Sequence, residues 1–491
     1  MINGQWAFYG RSSIQQSDGY RDHAGVSGHS LFFGGGYFSE KHILKFTAFT
    51  GRAKTALAYL AVPKSVLENQ RTFNPLSQEE VDDFIQSIVM LEYATPIHDD
   101  ILFSSTVYLN HADGNYTVWL APDLYNFGLT SYFYGLNASL QYERPTLDIK
   151  IGLHANDYVR YHSAFIAPFQ SSQLYKNAGH KNEMAVFVKM SKQVGRLGIF
   201  ADMQGRMTKF SYAQDRATYL DIDSIGWHFF NPKAGLTWKI AKHYMLYASI
   251  GKTSREPTRN DMFAGFDNID ASNVADIGDF SKVKPETVVD YEAGSKWIWN
   301  RGQIHLNLYH MQFRNEIAAI GELSYIGLPL RKNVASSYRK GMELFIHLDP
   351  TKQFRLHTQV NLSRNQIASY TEDQSNQTYT HVQPLLTPTL QFSQMIGYKP
   401  KPWVELSITG RYTGYSYLDN TSNDDFTVPA SLIFDGSVDF LFFRDRSLLK
   451  FWINNIANTK YTLSGYVADG ESNFYPMARR NYYVSYTHHF Q

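Results

Sequence analysis

The chain has 491 residues, no Cys, and 46 basic against 45 acidic side chains, a net charge of +1. That balance gives no electrostatic case for nucleic acid, and the lack of Cys excludes a disulfide framework, a Cys zinc site and thiol catalysis. Charged residues make up 19% and aromatic ones 15%, so the chain is poorer in charge than the roughly 25% of an average soluble domain.

No stretch approaches the roughly 20 apolar residues of a membrane-spanning helix. Met1–Gln5 has neither the basic start nor the apolar core of a signal peptide. What dominates is alternation at period two, the mark of a strand with one apolar and one polar face. Ile304, Leu306 and Leu308 keep one phase, then Tyr309, Met311 and Phe313 take the other, which predicts a bulge or an aromatic interface position there. Met342, Leu344, Ile346 and Leu348 alternate with Glu343, His347 and Asp349. Phe354, Leu356, Val360 and Leu362, then Val404, Leu406 and Ile408, then Tyr482, Val484 and Tyr486 do the same. Gly34–Gly36 lies inside such a segment, so it reads as strand and not as a phosphate loop. Residues 77–90 are the exception. Ser77 with Glu80 fits a capping box and predicts a short helix there.

About 20 such segments of roughly 10 to 16 residues are predicted, longer than the 5–6 usual in globular sheets. The connections alternate in length. Ser39–Lys41, His98–Asp100, Arg144–Pro145, Ala241–Lys242, Asn300–Arg301, Pro350–Lys352, Lys399–Pro402 and Arg444–Ser447 are short. Residues 15–30, 53–85, 112–130, 162–182, 214–226, 256–283, 321–334, 368–385, 419–431 and 458–480 read as long loops. Short turns at one end and long loops at the other is the layout of a transmembrane β-barrel. Hydrocarbon offers backbone groups no partner, so only a closed sheet satisfies them. The opposite parity carries Glu, Arg, His, Asn and Gln, which suits a polar lumen and not the buried face of a soluble sandwich. On 286–299, Glu286, Asp290, Glu292 and Lys296 share one parity while Val289, Tyr291, Trp297 and Trp299 share the other. Charge facing lipid costs roughly 2–4 kcal/mol at mid-membrane, so the acidic parity is expected to face the lumen.

Six stretches in order then resemble the barrel of TonB-dependent outer-membrane receptors. Tyr9–Asp22 contains a Ser-Asp-Gly-Tyr-Arg run; Asn231–Leu236 is followed by Tyr247–Ser249 and the Arg-x-Pro of Arg255 and Pro257. Pro285 and Glu286, spaced from Glu292 and Gly294, match the family's Pro-Glu…Glu-x-Gly pattern, the most specific of the set. Asn333 with Gly341 and Glu343 follows it. Asn454–Tyr461 resembles an Asn-Leu-Phe segment, departing at Ile456 and Ala457. Arg480–Phe490 is similar to the terminal strand that such barrels present to the assembly machinery, with Gln491 following the aromatic.

The resemblance implies an all-β fold, an antiparallel transmembrane barrel with about 20 strands of a 22-stranded receptor over residues 1–491. It implies an outer-membrane protein of a Gram-negative bacterium that takes up a scarce nutrient, energised by the TonB protein through a plug inside the barrel. Neither plug nor signal peptide is recognised in the sequence, so the chain is expected to be an N-terminally incomplete receptor. The expected partners are outer-membrane lipid, TonB, the barrel assembly machinery and a small chelate, with no nucleic acid; no cofactor or resident metal is expected.

No catalytic constellation is found: there is no Gly-x-Ser-x-Gly and no His-Glu-x-x-His, and the 17 His are scattered. Tyr116, Trp119, Tyr125, Phe169, Arg331, Tyr417 and Arg479 fall in loops or at upper strand ends. Aromatics with Arg suit an anionic, aromatic ferric siderophore through stacking and cation–π contact. Arg255, Glu286, Asp290, Glu292, Glu343 and Arg411 are expected to face the lumen and a plug. The acidic pairs Asp221/Asp223 and Asp424/Asp425 leave calcium-assisted cobalamin uptake open, and a passive porin is the reading from another class.

Overall fold

The computed structural model describes residues 4–77, 79–167, 173–214, 222–277, 279–373, 375–443 and 446–490. A single antiparallel sheet of 21 strands makes up the body. One of them, Thr378–Val382, pairs only beside the top of a longer neighbour, which leaves 20 staves. In chain order these are β1 (Trp6–Ser17), β2 (Val26–Phe38), β3 (Ile43–Ala56), β4 (Val81–His98), β5 (Ile101–Leu120), β6 (Asp123–Arg144), β7 (Leu147–Ile166), β8 (Gln173–Val194), β9 (Leu197–Ala213) and β10 (Ile225–Ala241). They continue as β11 (Tyr244–Arg255), β12 (Glu286–Trp299), β13 (Gly302–Leu323), β14 (Pro329–Leu348), β15 (Phe354–Thr371), β16 (Leu390–Lys401), β17 (Val404–Thr413), β18 (Ser431–Phe442), β19 (Ser447–Asn454) and β20 (Asn481–His488).

Each stave pairs with the next in the chain, so the topology is up-and-down throughout. Among the described residues β1 pairs only with β2 and β20 only with β19, and the sheet has two edges. Among the described residues no helix is long and apolar enough to cross a membrane. On β8, Met184, Val186, Val188 and Met190 point outward and are 38–48% exposed, while Glu183 and Lys189 alternate inward. A stave needs only 9–11 residues to span the bilayer. The 20 and 22 residues of β5 and β6 therefore rise well above it.

That length corrects three expectations. Residues 112–130 are not a loop: β5 and β6 pair in unbroken register from Ile101↔Tyr142 to Leu120↔Asp123, turning at Ala121–Pro122. Most of 162–182 is likewise strand, in β7 and β8, and 321–334 is mostly the top of β13 and β14. On β5 the inward parity at this height is apolar or aromatic, with Tyr116, Val118 and Leu120, which breaks the alternation used to find strands. The expected bulge after Leu308 does not exist. β13 keeps register with β14 from Gly302 to Ala319, and Tyr309, Met311 and Phe313 face inward, where Tyr309 covers Gly341.

The helix expected at 77–90 is also absent, since Val81–His98 is a stave. Ser77 N–H does donate to Glu80 Oε2 at 2.5 Å, but this closes a turn ahead of the strand. The short helix of this loop is α1 (Lys64–Asn69). The short turns fall where expected, with one more at Gly195–Arg196; Arg444 and Asp445 lie outside the described residues. Above the long-loop end, Val62–Pro63, Thr462–Ala468 and Glu471–Pro476 form a small sheet over a core of Val62, Leu67, Leu418, Val428 and Phe474.

Candidate functional site

Antiparallel partners share a face of the sheet, so the register settles which side chains line the lumen. Arg255 opposes Glu286 and Ser249 opposes Glu292; Asn307 opposes Glu343. Arg255, Glu286, Asp290, Glu292, Glu343 and Arg411 thereby share one face of the sheet. That wall is concave. A cavity of about 620 Å³ runs along it from β11 to β17, lined by Tyr247, Glu292, His305, Asn307, Glu343 and Arg411 among others.

Most of the wall is a hydrogen-bonded lattice, because polar groups pressed together without partners would each cost free energy; Asp290 Oδ1 is buried on it without one. Tyr247 donates to Asn307 Oδ1 at 2.7 Å and meets His305 Nε2 at 2.9 Å. Asn307 Nδ2 donates to Glu343 Oε2 at 3.3 Å. Arg255 Nε donates to Glu286 Oε1 at 3.0 Å, and the other Glu286 oxygen accepts from Ile317 N–H at 2.8 Å. Arg411 donates to Asp435 at 2.5 Å. Higher up, Arg206 bridges Glu183 and Glu256 at 2.8 and 2.6 Å, with its guanidinium 4.8 Å from the Phe229 ring centroid. Gly294 and Gly341, the glycines of the two most specific motifs, lie beneath Tyr247 and Tyr309. A Cβ at either would also meet a cross-strand carbonyl at 2.3 Å.

The mouth is built differently. Residues 256–277 fold back onto the tops of β7–β9. Asp267, 9% exposed, accepts from Tyr175 Oη at 2.5 Å and from His162 Nδ1 at 2.8 Å. Asn177 and Arg259 donate to its main-chain carbonyl. Burial pushes the Asp267 carboxyl up, but the His162 and Tyr175 donors and the Arg259 charge outweigh it and hold the pKa at about 2. Burial and the same carboxylate push the Tyr116 and Tyr175 hydroxyls up. Sequence reading missed Asp267, Arg259, Arg206 and Glu256 as site residues. Arg206 lies 50 positions from Glu256, Asp267 lies 92 from Tyr175 and Arg259 lies 82 from Asn177, and no local pattern links these pairs.

The seven ligand candidates do not form one cluster. Tyr116 and Tyr125 come together around Phe127, at 5.1 and 6.0 Å between ring centroids, packed with Ile326. Trp119 sits on the outward parity of β5 and donates Nε1–H to Glu79 at 3.0 Å. Arg331 faces Asp261 at 3.6 Å, Tyr417 reaches Asp424 at 3.3 Å, and Arg479 donates to Asn458 at 3.0 Å. Phe169 and Asp221 lie outside the described residues. No cluster of three or more metal-ligating side chains occurs among the described residues, and Asp424 and Asp425 engage loop partners instead.

A family model described as "TonB dependent receptor-like, beta-barrel" matches residues 9–456. A search of curated proteins finds no match. Among solved structures, the ferric citrate transporter FecA superposes with a TM-score of 0.82 at 12% identity, covering 98% of this chain and 73% of its own. The copper transporter OprC gives 0.79 at 13%, covering 99% and 76%. The siderophore receptor PiuA from Acinetobacter baumannii gives 0.76 at 13%, covering 99% and 78%. At such identities the likeness is one of fold.

Proposed function

Because the chain belongs to the TonB-dependent receptor-like β-barrel family, whose members are outer-membrane transport receptors of Gram-negative bacteria, we propose that it takes up a scarce nutrient, an iron–siderophore complex. TonB energises this transport through a plug in the lumen. The observation that carries the reading is the charged wall of β11–β18 around the 620 Å³ cavity. A lipid-facing surface has no need of a dense lattice of Glu, Arg, His and Asn, whereas a plug that must seal and then move is well matched to polar contacts that exchange with water. The siderophore and metal-complex neighbours support the nutrient class.

The test is uptake of labelled ferric siderophores by a deletion strain under iron limitation. Loss of uptake of one chelate, restored by the full gene, supports the reading; unchanged uptake across the panel sinks it. Conductance of the protein in planar bilayers separates a plugged receptor, which stays closed, from an open pore.

A further inference from the structure

At the mouth, α1, the start of β18 and residues 459–462 enclose a pocket of about 280 Å³. Three cations line it, Lys64, Arg71 and Lys460, against one carboxylate, Glu68. The guanidinium of Arg71 is anchored by donation to the main-chain carbonyl of Tyr461, while its Nε is buried without an acceptor. Lys64 and Lys460 are exposed, and neither has an ion-pair partner among the described residues. Arg52, Arg331, Arg339 and Lys332 at the same end pair with Asp83, Asp261, Glu316 and Asp373. The pocket, with three cations to one carboxylate, carries an excess of positive charge. Ser431 in its lining opens β18, the strand that carries Asp435 of the lumen wall, so the pocket stands at the head of that wall.

We propose that the pocket framed by Lys64, Arg71 and Lys460 is a subsite for an oxyanion group, carboxylate or phosphate, carried by a solute on its way into the lumen. This rests on the receptor reading and adds to it the charge of the cargo and the place that receives it. A pocket of this volume is at the small end for ligand sites; it holds one anionic arm and not a whole chelate. Fixing Arg71 by its Tyr461 bond means that little side-chain order is lost when the anion arrives, and the lysines supply charge-assisted hydrogen bonds.

The probe is citrate, titrated calorimetrically into the detergent-solubilised full chain at low and at moderate salt. Citrate binds the parent, and the Lys64→Gln/Lys460→Gln double variant binds at least tenfold more weakly with a flatter salt dependence. Lys332→Gln, which removes a cation already paired, leaves the affinity unchanged. Equal affinity in parent and double variant, or no heat from the parent at millimolar citrate, overturns the proposal. A third arm measures retained phosphatidylglycerol. If the double variant loses lipid and keeps citrate, the charge serves a headgroup and the subsite is wrong. The two readings fail separately. A deletion strain that loses chelate uptake while the double variant binds citrate normally leaves the receptor and removes the subsite; the converse pair of results does the opposite.

Discussion

Arg206 on β9 donates through Nη2 to Glu256 Oε2 at 2.6 Å, fifty positions along the chain. Both side chains are largely out of water, 14% and 6% exposed, and Lys181 reaches the same carboxylate from β8. Removing one partner of such a group leaves charge without compensation in a medium that solvates it poorly, at roughly 3–5 kcal/mol. Arg206 keeps Glu183 at 2.8 Å, so Glu256→Ala is expected at the lower end, about 3 kcal/mol, read as a shift of the urea midpoint of the detergent-solubilised barrel. Arg206→Ala in the Glu256→Ala background is expected to cost less than it does alone. Additive losses would show that the two do not interact.

Acid reads the mouth through Asp267. Its folded pKa of about 2 lies below the ordinary 3.8, so the native carboxylate contributes stability that is fully present above pH 3.8 and is lost as the pH falls through 2. The difference is worth about 2 kcal/mol. Pepsin cleavage within 256–283 is expected to stay slow at pH 4 and to accelerate toward pH 2. Asp267→Asn is expected to be cut readily at pH 4, with little further change below it. A variant as resistant as the parent at pH 4 would mean that the His162, Tyr175 and Arg259 contacts do not hold the segment down.

These two sites mark where sequence stops being informative. The lumen parity of Glu286, Asp290, Glu292, Glu343 and Arg411 is legible because a stave in a bilayer must alternate, and one residue of slip would turn charge to lipid. Above the membrane that constraint lapses. Tyr116, Val118 and Leu120 on β5 all face inward onto a small apolar core with Phe127 and Ile326, so a paired hairpin has the composition of a loop. Glu80 misleads in the same way: its carboxylate accepts from Ser77 N–H and Trp119 N–H, which caps a turn against β5 and mimics a helix start. Asp267 carries no local signature because its three side-chain partners belong to β7, β8 and the far end of its own loop.

The outward face gives a sharper contrast. Val188 sits among Met184, Val186 and Met190 on the lipid side of β8, while Ser191 has the opposite parity. Val188→Arg is expected to cost about 2–4 kcal/mol and Ser191→Arg to stay within about 0.5 kcal/mol, measured by unfolding in lipid bilayers. Equal costs would mean that the Val188 face is not the one turned to hydrocarbon, and reversed costs that the opposite face is.

The last prediction concerns Gly294, where the family motif meets the cavity. A Cβ there would lie 2.3 Å from the Leu306 carbonyl and 2.4 Å from the Tyr247 ring and hydroxyl. Ring and backbone press on the same point, so the strand has to shift or the ring has to leave. Gly294→Ala is expected to destabilise by about 1–3 kcal/mol. Truncating Tyr247 relieves only half of the clash, so Gly294→Ala should remain costly in a Tyr247→Ala background; a silent second substitution would show that the ring alone excludes a side chain. The consequence for transport is separable from stability. Tyr247 pushed off Gly294 loses its bonds to Asn307 and His305 and swings into the cavity. Gly294→Ala should therefore slow chelate uptake by more than its loss of folded barrel in the membrane accounts for, and Gly341→Ala, beneath Tyr309, should do the same from the neighbouring staves.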